Sequence, residues 1–315
     1  RTSIKKYLKT AFQVGIKNII SVIVYRSLIK FRYFNLILPK RVFKITDEIM
    51  HPIDSNIAIS KKYKKSIIIE ANKIIEGDFK YFNYHKYKNS FSTWFFNPFN
   101  KLLFTENDKH WSSLNDFNKK FGDIKIIWDI SRFNWIGTLG LAYVLTNEIK
   151  YIDTINLYIK SWLEKNSINI GPNWKCGQET SIRALNIFLT SEIIGQNSRS
   201  KSCVKLLEFH LNRIKNTVFY AKAQDNNHVI SESTALYLIS YILGANYKIS
   251  KYYSIHKKGK KLLENSVNRL VMSDGSFSQH SIVYHRMVLD LLNLSELFRQ
   301  KWSLKPFSKP FYAKI

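Results

Sequence analysis

Helical periodicity is the feature that most constrains what this chain can fold into. From Ile124 onward, apolar residues recur three and four positions apart, in segments joined by short polar links. Such a series predicts an all-α fold built from stacked helical hairpins. No internal repeat and no sustained heptad is visible in the sequence, which disfavours repeat arrays and coiled coils. The predicted helices cover residues 133–146, 150–165, 177–194, 202–223, 228–243, 254–272 and 281–300.

The net charge is the first indication of a partner. Among 315 residues, 49 are Lys or Arg and 23 are Asp or Glu, which gives a formal net charge of +26. Such a surface concentrates polyanions and repels cations. Nucleic acid, anionic lipid and acidic polysaccharide all fit this charge. The two cysteines, Cys176 and Cys203, are too few and too far apart to predict a disulfide framework.

Three segments differ in composition. Residues 1–123 are predicted to form a basic N-terminal segment of short elements and loops, residues 124–300 form the helical domain, and residues 301–315, with two prolines, begin a linker. Residues 1–46 carry eleven basic and no acidic side chains around an apolar run that is too short to span a bilayer. Two interpretations of this part stay open: a basic amphipathic helix on a lipid surface, or a helix packed on its own domain.

The string DNNHVISE, residues 225–232, places amides, an imidazole and a carboxylate at the start of a predicted helix. One interpretation is that an asparagine caps this helix. The other is functional, because Asn227 and His228 would lie where free backbone N–H groups and the helix dipole favour an anion. Glu232 lies four residues after His228 on the same face, and is predicted to fix the tautomer and raise the basicity of that ring.

The string DGSFSQHSIVYHR, residues 274–286, opens the last long predicted helix behind an Asp-Gly-Ser turn. Tyr284 lies there beside His285 and Arg286, with Gln279 a few residues earlier. One interpretation is ordinary packing of a tyrosine. The other is catalytic, because a neighbouring cation helps a phenol to lose its proton.

A third string, IWDISRFNW at residues 127–135, brings Trp128, Arg132 and Trp135 close together. Aromatic faces and an arginine fit a sulfated or uronate sugar. They fit an ordinary hydrophobic hairpin equally well, so both interpretations stay open.

A fourth string, NWKCGQETSIRAL at residues 173–185, contains Trp174, Glu179 and Arg183. The spacing of four between Glu179 and Arg183 is typical of an intrahelical ion pair. With Trp174 at the entrance of the helix, the same side chains also fit the lining of a sugar groove.

Taken in order between about residues 124 and 292, these four strings resemble the N-terminal helical domain of the heparinase II/III family of polysaccharide lyases. The opening string RTSIKKYLKTAFQVGIKNII also resembles relatives associated with bacterial surface-polysaccharide loci. The resemblance implies an incomplete α/α toroid of helical hairpins, normally followed by a β-sandwich domain that is absent from this sequence. On this expectation the chain is a fragment or a shortened relative.

The activity that the resemblance implies is β-elimination across the glycosidic bond of a uronate-containing polysaccharide. Asn227 matches the position that hydrogen-bonds the uronate carboxylate, with His228 beside it, and so stabilises an enolate-like state. Tyr284 matches the position that protonates the leaving oxygen and, for one sugar stereochemistry, also abstracts the proton. The supporting residues are Glu232, His285 and Arg286, and the substrate-binding residues are Trp128, Arg132, Trp135, Trp174, Glu179, Arg183 and Gln279.

The sequence departs from the family pattern at residues 279–281, which read Gln-His-Ser where Glu-Gln-Ser is expected. The resemblance implies no cofactor and no metal site in this chain, and leaves a structural metal to the C-terminal domain. It also implies a periplasmic or cell-surface location, with the cytoplasm left open, and does not specify the polysaccharide or the oligomeric state.

The expected partner is therefore an acidic polysaccharide, with membrane-surface contact through residues 1–46 and no nucleic acid. Two alternatives to a lyase remain. The first is a non-catalytic module that binds acidic glycan in surface-polysaccharide metabolism. The second is a basic protein that binds a membrane surface or nucleic acid through its charge.

Overall fold

The computed structural model describes residues 15–52, 60–82, 84–88, 94–115, 117–118, 120–195 and 199–315. Short 3₁₀ turns lie at Trp111–Ser113 and Pro172–Trp174. The strands β1 (Asp78–Tyr81) and β2 (His85–Lys88) form one antiparallel pair, and β3 (Phe117–Asn118) and β4 (Gly122–Asp123) form another. The helices are α1 (Ile16–Lys30), α2 (Tyr33–Ile37), α3 (Lys61–Ile75), α4 (Lys125–Ser131), α5 (Asn134–Thr146), α6 (Lys150–Lys165), α7 (Gly177–Ile193), α8 (Lys201–Lys215), α9 (Val218–Gln224), α10 (Asn227–Tyr247), α11 (Ser250–Leu270), α12 (Ile282–Lys301) and α13 (Lys309–Tyr312).

The all-α class is confirmed. Helix α6 spans the predicted residues 150–165, and the predicted starts of α5, α7, α10 and α12 lie within one residue of the observed ones. These helices were predictable because their apolar positions repeat at helical spacing between polar links. The closure of the hairpins into an incomplete toroid stays a prediction.

The prediction of one continuous helix over residues 202–223 is wrong, because this stretch forms two helices. Helix α8 ends at Lys215 and α9 begins at Val218. The break lies at Asn216 and Thr217, whose side chains donate to the carbonyls of Asn212 and Arg213. Polar side chains that bind nearby carbonyls in this way compete with the helical backbone and favour helix ends.

The segment predicted as short elements and loops also contains a full helix, α3. Its run of three isoleucines, residues 67–69, is typical of a strand because β-branched side chains favour extended backbone. The buried residues Ala71 and Ile74 instead lie three apart, which is helical spacing. The spacing of the buried side chains decides the conformation here.

The chain divides into two compact units. The first comprises residues 1–37 and 211–315, and the second comprises residues 38–210. The division falls within α8, and it does not coincide with the predicted segment boundaries at residues 123 and 300.

Helix α10 lies at the centre of the first unit, and it is buried along most of its length. Small and apolar side chains of α10 itself lie on all sides of the helix, which is typical of a helix enclosed by other helices. The hydroxyls of Ser231, Ser233 and Ser240 donate to carbonyls three or four residues earlier, so their burial leaves no donor unsatisfied. Helices α11 and α12 pack against it.

Helices α10 and α11 approach each other backbone to backbone at Gly259. A Cβ atom there would lie 2.6 Å from the backbone nitrogen of Tyr237 and 2.9 Å from the carbonyl carbon of Leu236. Neither backbone atom can move without displacing α10. Replacing Gly259 by alanine is therefore expected to lower the free energy of unfolding by about 1–3 kcal/mol, measured by urea titration.

Gly137 in α5 provides the matched control for this prediction. A Cβ atom there would meet only the Thr190 hydroxyl, at 3.9 Å. Replacing Gly137 by alanine is expected to leave the free energy of unfolding unchanged or to raise it by up to about 1 kcal/mol, because alanine is the better helix former. Equal effects of the two substitutions would contradict the proposed close approach at Gly259.

The last residues of the chain are packed rather than extended. Phe307 and Phe311 are buried, and Phe307 lies against Tyr237 of α10. Lys260 of α11 donates to the carbonyls of Lys305 and Pro306. The segment predicted to begin a linker therefore contributes to the core of the first unit as far as α13.

The second unit is built around α5, which packs against α3, α6 and α7. Its core is aromatic, because Trp135 meets the rings of Phe79, Phe133 and Tyr158 in edge-to-face contacts at 5.2–5.7 Å. Edge-to-face contacts of this kind stabilise aromatic cores beyond their buried area.

Candidate active site

The DNNHVISE string forms the start of α10 in the first unit. Asp225 adopts a left-handed conformation, with φ of 51°, and its carboxylate accepts a hydrogen bond from Arg269 at 2.6 Å. Asn226 is the N-cap, and its side-chain oxygen accepts the backbone N–H of His228 at 2.9 Å. The capping interpretation is therefore confirmed for Asn226, and Asn227 and His228 occupy the first two positions of the helix.

The DGSFSQHSIVYHR string forms a tight turn followed by the start of α12. One carboxylate oxygen of Asp274 accepts both the backbone N–H and the hydroxyl of Ser276, which closes the turn. His280 has a φ of 49°, and Ser281 then caps α12 by accepting the backbone N–H of Tyr284. As a result, Tyr284 and His285 lie in the first turn of α12, and Arg286 begins the second.

A hydrogen bond joins the two strings. The side-chain oxygen of Gln279 accepts the backbone N–H of Asn227 at 2.8 Å. The donor is a backbone N–H, so the oxygen of the Gln279 amide must face it. This contact holds the start of α10 against the turn that precedes α12, although the two residues are 52 positions apart.

This geometry corrects one part of the anion-binding prediction. The first backbone N–H groups of α10 are not free, because that of Asn227 binds Gln279 and that of His228 binds Asn226. An anion at this helix start would therefore be bound by side chains rather than by the backbone. The helix dipole still favours negative charge there.

The candidate catalytic side chains differ in exposure. Asn227 and Glu232 are buried, and His228, Gln279 and His285 are partly buried. Tyr284 and Arg286 are exposed, so the phenol and the guanidinium are accessible to a large ligand. The functional roles of all these residues stay predictions.

Glu232 lies one turn below His228 on α10, in an apolar environment. Burial raises the pKa of its carboxyl to about 8, and the positive charge of Arg213 opposes this shift. Its Oε2 atom has no hydrogen-bond partner among the described residues. At neutral pH Glu232 is therefore mostly a neutral acid, and its predicted pairing with the His228 ring stays a prediction.

The raised pKa of Glu232 makes the stability of the protein pH-dependent. The unfolded chain releases this proton near pH 4.5, whereas the folded chain retains it until about pH 8. The free energy of unfolding therefore falls as pH rises through this window, by up to about 1.4 kcal/mol per pH unit. Glu232→Gln removes the ionisation, so the variant is expected to gain stability relative to wild type from pH 5 to about pH 8.

Urea titrations at several pH values measure this difference. Asp290→Asn is the control, because Asp290 is an exposed carboxylate in the same unit. A stability difference between Glu232→Gln and wild type that stays constant with pH would contradict the buried, neutral state of Glu232.

The predicted sugar-binding residues of the third and fourth strings lie in the second unit. Arg132 makes a two-pronged ion pair with Glu179, at 2.6 and 2.9 Å, and a further ion pair with Asp129 at 3.1 Å. Asp129 also accepts the backbone N–H of Phe82, and burial raises the pKa of its carboxyl. The predicted ion pair of Glu179 with Arg183 is wrong, because Glu179 binds Arg132, the residue that follows α4.

Arg183 is buried between two indole rings. Its guanidinium carbon lies 4.6 Å from the ring centre of Trp162 and 5.3 Å from that of Trp174. It donates to the Nε2 atom of His210 at 2.9 Å, and the Nδ1 atom of His210 binds the Leu206 carbonyl. Burial, together with the Arg183 charge, holds the pKa of His210 well below its usual value, so the ring is neutral.

The three tryptophans predicted to bind sugar are buried as well. The indole N–H of Trp128 donates to the Pro172 carbonyl, and that of Trp135 to the Ile130 carbonyl. Sugar contact through Trp128, Trp135 and Trp174 stays a prediction, as does that through Arg132, Glu179 and Arg183. In this structure all six side chains make contacts within the second unit.

Sequence reasoning did not identify three charged or polar partners, namely Asp129, His210 and Arg213. Asp129 had a usable signal, since it lies three residues before Arg132 in a helix. His210 and Arg213 had none for the interactions that matter here, because Arg183 lies 27 positions from His210 and Glu232 is far along the chain from Arg213. Among the described residues, no group of three metal-ligating side chains is close enough to hold a metal ion.

An all-α fold with these four strings is what the N-terminal helical domain of a polysaccharide-lyase family is expected to have. The model of the family described as heparinase II/III N-terminus matches residues 48–312. The chain therefore belongs to this family, which relates it to the polysaccharide lyases. No curated protein and no solved structure matches the chain.

Proposed function

We propose that this chain acts on an acidic, uronate-containing polysaccharide and cleaves it by β-elimination. The observation that carries the proposal is the Gln279–Asn227 hydrogen bond, which joins the Asn-His start of α10 to the turn before Tyr-His-Arg. The membership of the heparinase II/III N-terminus family supports it. The net charge of +26 supports a polyanionic substrate.

The first step is neutralisation of the uronate carboxylate. The proton next to a carboxylate is weakly acidic until the negative charge is offset, because removal of the proton adds a second charge. The Asn227 amide donates a hydrogen bond to that carboxylate, with the His228 ring beside it. Donors that face a developing charge stabilise the enolate-like transition state more than the substrate.

The second step is departure of the leaving sugar. For one stereochemistry of the uronate, the Tyr284 phenol in its ionised form takes the proton from the ring. The carbon–carbon double bond then forms as the carbon–oxygen bond breaks, and the same phenol gives that proton to the glycosidic oxygen. His285 and Arg286 follow Tyr284 directly on α12, so a phenol, an imidazole and a guanidinium lie together near the start of this helix.

An assay with acidic glycans tests the proposal. Heparan sulfate, alginate-like polyuronate and bacterial capsular or O-antigen polymers are incubated with the full-length protein, and the ultraviolet absorbance of unsaturated uronate is followed. The absorbance is expected to rise with at least one of them. Salt-sensitive binding to these glycans without any rise would instead support a non-catalytic glycan-binding module.

A further inference from the structure

Helix α1 has two apolar faces, and among the described residues only one of these faces has packing partners. On the packed face, Tyr25 stacks on Tyr220 of α9, with ring centres 3.9 Å apart and planes 8° apart. Tyr25 also meets the edges of Phe34 and Phe219. These contacts fix which side of α1 faces the first unit.

The opposite face of α1 is an apolar stripe exposed to solvent. Ile16, Ile20, Ile23 and Val24 are spaced at helical intervals along it, with exposed fractions of 63%, 54%, 58% and 44%. Single exposed apolar residues are ordinary, but a continuous row of isoleucines on one helix face marks a binding surface.

Exposed apolar side chains continue along the chain past the end of α1. Phe31, which follows α1, and Leu36 of α2 are each 78% exposed. We call these six side chains, from Ile16 to Leu36, the α1–α2 stripe.

Basic side chains flank the α1–α2 stripe. At 100° per residue, Lys17 lies on one side of it, and Arg26 and Lys30 lie on the other. These three side chains and Arg32 are exposed. None of the four has an ion pair within the described part of the chain. The sequence contains no acidic residue before Asp47. A row of apolar side chains between cations is complementary to a surface whose outer layer is negatively charged and whose inner layer is apolar.

We propose that the α1–α2 stripe lies on the surface of an anionic lipid bilayer. The isoleucines, Phe31 and Leu36 insert between the lipid headgroups, and the flanking cations bind lipid phosphates. In the described ranges no helix is long and apolar enough to cross a membrane. The proposed contact lies in the interface plane, because the apolar side chains form one face of α1 with cations on both sides. A second copy of the chain fits this surface less well, because it would bring the same cations face to face.

Vesicle binding tests this proposal. The full-length protein is sedimented with vesicles of phosphatidylglycerol and phosphatidylcholine, and separately with vesicles of phosphatidylcholine alone. Binding is expected to the anionic vesicles and to weaken with salt. The double variant Ile20→Glu, Ile23→Glu is expected to bind on the order of a hundredfold more weakly. Lys17→Gln and Lys30→Gln are each expected to weaken binding about fivefold at low salt.

The control variant is Leu297→Glu. Leu297 is exposed on α12 in the same unit, away from the α1–α2 stripe, and its substitution is expected to leave binding unchanged. Unchanged binding of the double isoleucine variant would overturn the proposal, as would equal binding of wild type to neutral vesicles. A dimer in sedimentation velocity that the double variant abolishes, without vesicle binding, would also overturn it and assign the stripe to a second copy.

Discussion

Replacing Tyr284 by phenylalanine is expected to lower kcat on acidic polysaccharide by about 10²- to 10⁴-fold, with little change in KM. The change removes one hydroxyl from an exposed side chain, so the fold and its stability are expected to stay nearly unchanged. It also removes the only proton that the phenol can give to the departing oxygen. The measurement is the initial rate of unsaturated-uronate absorbance at several substrate concentrations.

Tyr253 provides the matched control for this experiment. It lies on α11 in the same unit and has almost the same exposure as Tyr284, 39% against 38%. Tyr253→Phe is expected to retain wild-type kcat. If Tyr284→Phe keeps full activity, the role of Tyr284 as the acid is wrong, even if the protein proves to be a lyase.

Replacing Asn227 by aspartate is expected to lower kcat/KM by about 10²- to 10³-fold. The aspartate has the same shape as the amide, but it accepts hydrogen bonds where Asn227 donates one to the uronate carboxylate. It also places a negative charge against that carboxylate. The protein is expected to remain folded, since an acidic residue is favourable in the first turn of a helix.

Asn226→Asp separates the specific effect from a general effect of charge. It adds the same charge one position earlier, and aspartate caps a helix as well as asparagine does. The loss of kcat/KM in Asn226→Asp is expected to be smaller than the loss in Asn227→Asp by a factor of about ten or more. Equal losses in the two variants would indicate repulsion of the polyanion rather than loss of a specific donor.

The helical part of the fold could be predicted from sequence wherever the local pattern and the packing agree. Helix α6 matches its prediction because its apolar residues face a single core at regular spacing. Helix α3 was missed because its isoleucine run favours a strand locally, while tertiary packing favours the helix. The break before α9 was missed because side-chain contacts with the backbone, rather than a proline or glycine, end α8.

The candidate site was predictable to a smaller extent. The strings themselves identify which residue types lie at two helix starts, and the capping role of Asn226 follows from its type and position. The contact of Gln279 with Asn227 could not be predicted, because no local pattern encodes a hydrogen bond between residues 52 positions apart. For the same reason, the local pattern did not predict that Glu179 binds Arg132, 47 positions earlier, rather than Arg183, four positions later.

Product analysis in water labelled with a heavy oxygen isotope is the most direct test of the central claim. Elimination breaks the glycosidic bond without adding water. We therefore expect unlabelled products that carry an unsaturated uronate and are lighter by one water than hydrolysis products. Mass spectrometry of the fragments distinguishes the two reactions. Cleavage products that carry the heavy oxygen and no double bond would contradict β-elimination.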